Sequence, residues 1–231
     1  DAKVNVCLHP NSALEPDIVS ENEQYQFAIT GCNYSHHPVD VTLFLGTPPV
    51  EVAVKEGYKG SYFDCSRFVG KYLYATFPTT PLGYAEIISV IYPSDVAHPA
   101  AMMKRWTTAG LAGVSIRHNS TVTDYVFAST EKLHTGAHVA FSGQGVFYRQ
   151  EKEKIVSFFI KAGRQFTTGN SFGFKSRDPV SFVFRNKRGC IISPGTELIL
   201  FFPGMKSVRI DNRLVEIKEW RENQAIFDIP S

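Results

Sequence analysis

Apolar and polar positions alternate along most of the chain, in short runs separated by turn-forming residues. Between residues 111 and 230 such runs cover 112–117, 121–128, 137–141, 145–149, 155–161, 180–185, 190–193, 197–202, 207–210, 213–219 and 224–229. Side chains that change faces at every second position predict strands with one face turned to a core. Many short strands with turn signals between them predict an all-β fold, a multi-stranded antiparallel β-sandwich.

The first hundred residues carry the same signal, more often interrupted. Runs at 4–8, 24–30, 39–45, 50–54, 71–77 and 84–92 predict strands. Within 39–45, Val39, Val41, Leu43 and Leu45 share one face, while Asp40, Thr42 and Phe44 share the other. That pattern predicts a half-buried strand with one apolar intrusion. Pro10, Pro16, Pro38, Pro48, Pro49, Pro78, Pro81, Pro93 and Pro99 lack the donor that a central strand needs, so they mark loops and edges. Residues 99–107, with Ala100, Ala101, Met102 and Met103, are the one stretch with helical leanings. It is too short for a stable helix on its own, and the expectation is a linker or a single helical turn. Asp211-Asn212 predicts a tight primed turn, since both residues tolerate positive φ. Hairpins are also expected across 184–189 and around Gly143 and Gly145.

At 231 residues the chain can bury a substantial core without staples. It is read as one sandwich domain, residues 1–231, with a sub-boundary, if any, near 93–110, because no flexible Gly/Ser linker divides it. The aromatics are 18 Phe and 10 Tyr against 2 Trp, a set that suits sheet interiors. The formal net charge of +2 gives no ground for nucleic-acid binding. Cys7, Cys32, Cys65 and Cys190 have no CxxC spacing and allow three pairings. Cys190 begins the apolar run Cys190-Ile191-Ile192, which predicts a buried free thiol. No stretch approaches the ~20 apolar residues of a membrane helix. The opening Asp1-Ala2-Lys3-Val4 is not a signal peptide, which suggests a mature protein or a piece of a longer one. Asn33-Tyr34-Ser35 and Asn119-Ser120-Thr121 are sequons.

Little in the chain points to catalysis or metal. His134 and His138 are spaced for one helix face, but Gly136 and the surrounding strand pattern argue against a helix. His36 and His37 are neighbours, and neighbours on extended backbone point apart. The glycine pairs Gly143/Gly145 and Gly169/Gly173 do not open a helix, so they predict turns or bulges rather than a phosphate cradle. Neither Gly-x-Ser-x-Gly nor His-Glu-x-x-His occurs. No catalytic residue, metal or cofactor is assigned. The one constellation with binding chemistry is basic and aromatic. Arg105 and Trp106, preceded by Lys104, are followed by Arg117, His118 and Tyr125. Guanidinium forks match carboxylate or sulfate oxygens, and flat aromatic rings match sugar faces.

Several stretches resemble the C-terminal β-domain of heparinase II/III-type polysaccharide lyases, whose sandwich is of the super-β-sandwich type. They are Val6-Cys7-Leu8-His9-Pro10 with Gln26-Phe27-Ala28-Ile29-Thr30, the strand of residues 84–92 with its Tyr92-Pro93-Ser94-Asp95 exit, Ala112-Gly113-Val114-Ser115-Ile116-Arg117 with Thr123-Asp124-Tyr125-Val126-Phe127, and the closing hairpin of residues 206–213 with Phe227-Asp228-Ile229-Pro230. The family's α/α-toroid and its Gly-His-x-His-x-Asp-type segment have no counterpart here, so none of its catalytic set is carried over. The resemblance implies a non-catalytic β-domain of a carbohydrate-active, secreted or periplasmic protein. It would brace an upstream catalytic domain and line a cleft for an acidic polysaccharide. The chain alone would be inactive, with Arg105, Trp106, Arg117, His118 and Tyr125 as its glycan contacts. Two alternatives stand beside this: a free-standing carbohydrate-binding module, and a structural or protein-interaction sandwich.

Overall fold

The computed structural model describes residues 3–8, 17–21, 24–34, 37–60, 67–79, 81, 83, 85–97, 99–108, 111–129, 134–135, 139–169, 172–185, 188–193, 195–203, 205–210, 213–221 and 223–229. Every regular element among them is a strand and every pairing described is antiparallel, so the expected all-β sandwich class is what the structure shows. The chain divides into two compact units, Asp1–Thr107 with Ala112–Ile116, and Thr108–Leu111 with Arg117–Ser231.

The first unit holds β1 (Lys3–Leu8), β2 (Asp17–Glu21), β3 (Gln24–Tyr34), β4 (His37–Leu45), β5 (Glu51–Gly60), β6 (Arg67–Pro78) and β7 (Ser89–Ser94), with most of β8 (Met102–Thr108) and β9 (Leu111–Arg117). One sheet runs β1-β6-β5 and another β2-β3-β4-β7. Phe27, Leu43 and Leu45 from the second sheet cluster with Leu73, Ala75 and Phe77 from the first, so the two sheets share one apolar layer. β4 departs from its expected half-burial. Thr42 and Phe44 are as buried as Leu43 and Leu45, so both faces of β4 are covered. The apolar intrusion at Phe44 was the trace of that second covered face.

Residues 102–108 are also a correction. They form strand β8, paired with β9, instead of a linker or helical turn. Buried Ala101 and Met103 alternate with exposed Met102 and Lys104, a period of two that outweighs the weak helical leaning of Ala and Met.

In the second unit, β10 (Val122–Ser129), β11 (His134–Thr135), β12 (Ala140–Ser142), β13 (Gly145–Glu151), β14 (Lys154–Thr168), β15 (Phe172–Arg185), β16 (Arg188–Ile192), β17 (Thr196–Phe201), β18 (Arg209–Ile210), β19 (Arg213–Leu214), β20 (Glu219–Arg221) and β21 (Gln224–Ile229) follow in order. The main path is β10-β13-β14-β15-β17-β21-β20, with β12 joining β14 and β16 joining β15. The turn at Asp211-Asn212 lies outside the described residues, although Arg209 and Ile210 do pair with Leu214 and Arg213.

The long ribbon β14/β15 folds back on itself. Phe158 and Phe166 lie eight positions apart on β14, which a straight strand would separate by roughly 26 Å. Their ring centroids are 4.4 Å apart. Phe174 and Phe182 on β15 are likewise 5.6 Å apart, and Phe172 and Phe184 are 5.2 Å apart. One ribbon therefore supplies both layers of the sandwich, with its phenylalanines between them. The bend falls where the register breaks, around Gly163 on β14 and between Lys175 and Val180 on β15. Ala162 adopts φ 49°, and its N–H donates to Ser181 Oγ at 3.2 Å. Gly163 is buried in the crook, where an added Cβ would run into Ile160, 2.7 Å from its Cγ1.

These two neighbours should respond to substitution with opposite signs. Gly163→Ala is expected to lower unfolding stability by about 1–3 kcal/mol through overpacking. Ala162→Gly is expected to raise it by up to about 1 kcal/mol, because relief of left-handed strain exceeds the added chain entropy. Denaturant titration of both variants checks the pair.

Candidate functional site

The five residues singled out by sequence divide between the units. Arg105 and Trp106 lie on β8 in the first unit, and Arg117, His118 and Tyr125 lie in the second. On β8 the Trp106 ring is half-buried, and its Nε1–H donates to Ser115 Oγ at 3.0 Å. The Lys104 ammonium sits 4.7 Å from the Trp106 ring, and the Arg105 guanidinium lies 5.3 Å from the Tyr25 ring centre. Tyr125 turns to the core side of β10 and stacks on Tyr148, with centroids 4.6 Å apart and planes within 14°. Burial, with Tyr125 beside it, pushes the Tyr148 hydroxyl well above its ordinary pKa of 10. Arg117 is exposed.

His118 enters a charged cluster. The loop after β9 is tied down by Asn119, whose Oδ1 accepts from the Thr121 N–H at 2.8 Å, the Thr121 hydroxyl at 2.9 Å and the Val122 N–H at 2.9 Å. The loop returns His118 beside β10, where Nε2 donates to Asp124 Oδ2 at 2.9 Å. Register places Asp124 directly opposite Arg149 on β13. Arg149 binds it through two N–H groups, Nε to Oδ1 at 2.6 Å and Nη2 to Oδ2 at 2.7 Å. Burial pushes the Asp124 carboxyl up, but hydrogen bonds and charge from Arg149 and His118 outweigh this and hold its pKa below the ordinary 3.8. Both oxygens are committed, so Asp124 is chemically a clamp between β10 and β13 and not a general base.

The same register builds a larger surface around that clamp. On the face of the sheet opposite the phenylalanine layer, Val126, Phe147, Phe159, Val183 and Cys190 stand directly opposite one another from β10 to β16. Two positions along each strand, Asp124, Arg149, Ser157, Arg185 and Arg188 form a parallel row. Phe159 is 39% exposed and Val183 45%, and Arg185 and Arg188 are exposed. An apolar row thus lies beside a guanidinium-rich one.

Cys190 corrects an expectation. It is a free thiol, but an exposed one, because register puts its side chain on this open face beside Val183. Sequence reasoning passed over Phe147, Phe159, Arg185 and Arg188. The available signal was the spacing of basic and apolar residues two apart, as in Phe147/Arg149, Val183/Arg185 and Arg188/Cys190. Only the pairing register turns those scattered pairs into rows. Of the histidine pairs, His36 and His138 lie outside the described residues. Among the described residues no three His, Cys, Asp or Glu side chains form a metal-binding group, and no helix is long and apolar enough to cross a membrane.

Asp124→Asn should cost about 1–2 kcal/mol of unfolding stability, since it weakens charge-assisted bonds whose Arg149 partner is partly exposed. The carboxylate's contribution is complete above its unfolded pKa and drains as pH falls through the lowered folded value. The stability gap between wild type and variant should therefore be widest near neutrality and close below about pH 4. Urea titrations across that range check it. No family model matches this chain, and no curated protein matches it in sequence.

Proposed function

We propose that this chain is the non-catalytic β-domain of a carbohydrate-active protein that handles acidic glycans, and that the open face of the second unit meets the glycan. The observation that carries the reading is the pairing of two rows, Phe147–Phe159–Val183 beside Arg149–Ser157–Arg185–Arg188. An acidic pyranose has the matching chemistry. Its C–H face packs on an apolar, aromatic surface, and its carboxylate or sulfate accepts from a guanidinium fork. Near-balanced net charge favours a local anion site over a nucleic-acid surface. The resemblance to heparinase II/III-type β-domains adds to the reading. So does the lack of that family's histidine segment, which favours bracing and substrate contact over bond cleavage. A secreted or periplasmic setting follows from the class of ligand.

One observation also favours a protein partner. Phe159, Val183 and Ile192 are exposed apolar side chains on neighbouring strands. A protein-docking face would bind without needing the arginines, so charge dependence separates the two readings.

Calorimetry of the whole chain with heparin-class polysaccharide and with a neutral glucan tests the proposal. Binding should be confined to the sulfated polymer and weaken as salt rises. The Arg185→Gln/Arg188→Gln double variant should lose about tenfold or more in affinity. No unsaturated uronate should be released during the incubation. Equal affinity for the neutral glucan rejects the acidic-glycan reading, no binding to either polymer rejects the glycan reading altogether, and turnover by the isolated chain rejects the non-catalytic one.

A further inference from the structure

We infer that the glycan crosses the strands of this face and does not run along them, with its acidic end at β15–β16; this rests on the reading of the face as a glycan site. The argument is the placement of like chemistry. Moving across strands from β13, the apolar positions continue without a break through Phe147, Phe159 and Val183. Beside them, Arg185 and Arg188 are direct cross-strand partners. Moving along β14 instead, the face changes at each step, from Ser157 to Phe159 to Lys161. A ligand laid along β14 therefore meets one aromatic ring and one ammonium, and one laid along β13 or β15 meets one apolar side chain and one guanidinium. A ligand laid across meets an apolar track ending beside two guanidiniums.

Arg149 does not supply the positive end. Two of its N–H groups are spent on Asp124, whose charge offsets its own. The positive field of the row thus comes from Arg185 and Arg188, which gives the track a direction. Strands stand ~4.8 Å apart, so Phe147 to Arg188 spans three intervals, roughly 14 Å. That is the reach of a short oligosaccharide of more than two sugars. Adjacent strands also rotate by about 20–25°. A ligand that follows the row is consequently a twisted ribbon with an apolar side and an acidic edge, as sulfated and uronate polysaccharides are.

The test titrates the whole chain with size-defined heparin oligosaccharides. Affinity should rise by about tenfold from disaccharide to tetrasaccharide, the effect of one added charge-assisted contact, and then level off. Arg188→Gln should cost about tenfold with the tetrasaccharide. Lys161→Gln, on the same face but along β14, should stay within about twofold, as should Arg177→Gln at an exposed site outside the rows. All three positions are exposed, so the variants should fold normally. Affinity that ignores length, or a Lys161→Gln loss exceeding that of Arg188→Gln, overturns the crossing orientation while leaving polymer binding intact. Absence of binding to any heparin species, or tighter binding of a single-stranded oligonucleotide, overturns the glycan reading along with it.

Discussion

The second unit depends on a single ribbon bending sharply enough for its own phenylalanines to meet. Phe158 must reach Phe166, and Phe174 must reach Phe182, or neither layer has a partner. Twisted strands do not reverse course without a break in their ladder. Gly163 and Ala162 on one strand, and the stretch between Lys175 and Val180 that leaves the β14 ladder on the other, supply that break. The far side of the bend is held by polar contacts: the Ser176 hydroxyl donates to the Asp178 carbonyl at 2.6 Å, and the Thr196 hydroxyl donates to the Asp178 carboxylate at 3.1 Å. Most of the aromatic area is used on the inner face. The outer face of β10, β13, β14, β15 and β16 is left with its mixed row of apolar and basic side chains.

The sequence displayed the strands more clearly than the bends. Gln224–Ile229 matches its expected run at both ends, and β1, β4, β9, β10, β13 and β17 match within two residues, whereas β2 had no expected run and β7 starts five residues into the run at 84–92. The alternation failed where the backbone leaves the pleat. Runs expected at 155–161 and 180–185 are each one half of a longer strand, β14 and β15, because Gly163 and Pro179 read locally as breakers. In the fold they are features of one bent element. The hairpin between β13 and β14 was similarly hidden. Its central residues Lys152 and Glu153 adopt φ 47° and 68°, a conformation ordinarily announced by Asn or Gly.

The site was less legible than the fold, for a geometric reason. Arg105, Trp106, Arg117, His118 and Tyr125 are close in sequence, yet closeness in sequence is not the neighbourhood that a sheet creates. Tyr125 faces the core because its parity along β10 matches Phe127, whereas Asp124, of opposite parity, joins His118 and Arg149. Phe147, Phe159 and Arg185 come from three strands whose alignment is fixed by turns and bulges that local sequence states only weakly. A one-residue slip would turn the whole row into the core. The alignment of these outer-face rows therefore depends on the irregular positions, which are the ones that sequence patterns conceal.

That dependence explains why a committed carboxylate sits beside an otherwise open face. Burial of the inner face penalises a one-residue slip, but a two-residue slip meets no such parity penalty. The Asp124–Arg149 pair imposes a penalty of its own. A two-residue slip would keep every side chain on its own face, and so preserve the aromatic layer's parity, but it would part the two charges and leave a buried carboxylate without its guanidinium. The phenylalanines choose which face points inward, and the clamp chooses which residues stand opposite one another. Both choices are needed before Phe147 can align with Phe159, and only then does the apolar track lead to Arg185 and Arg188.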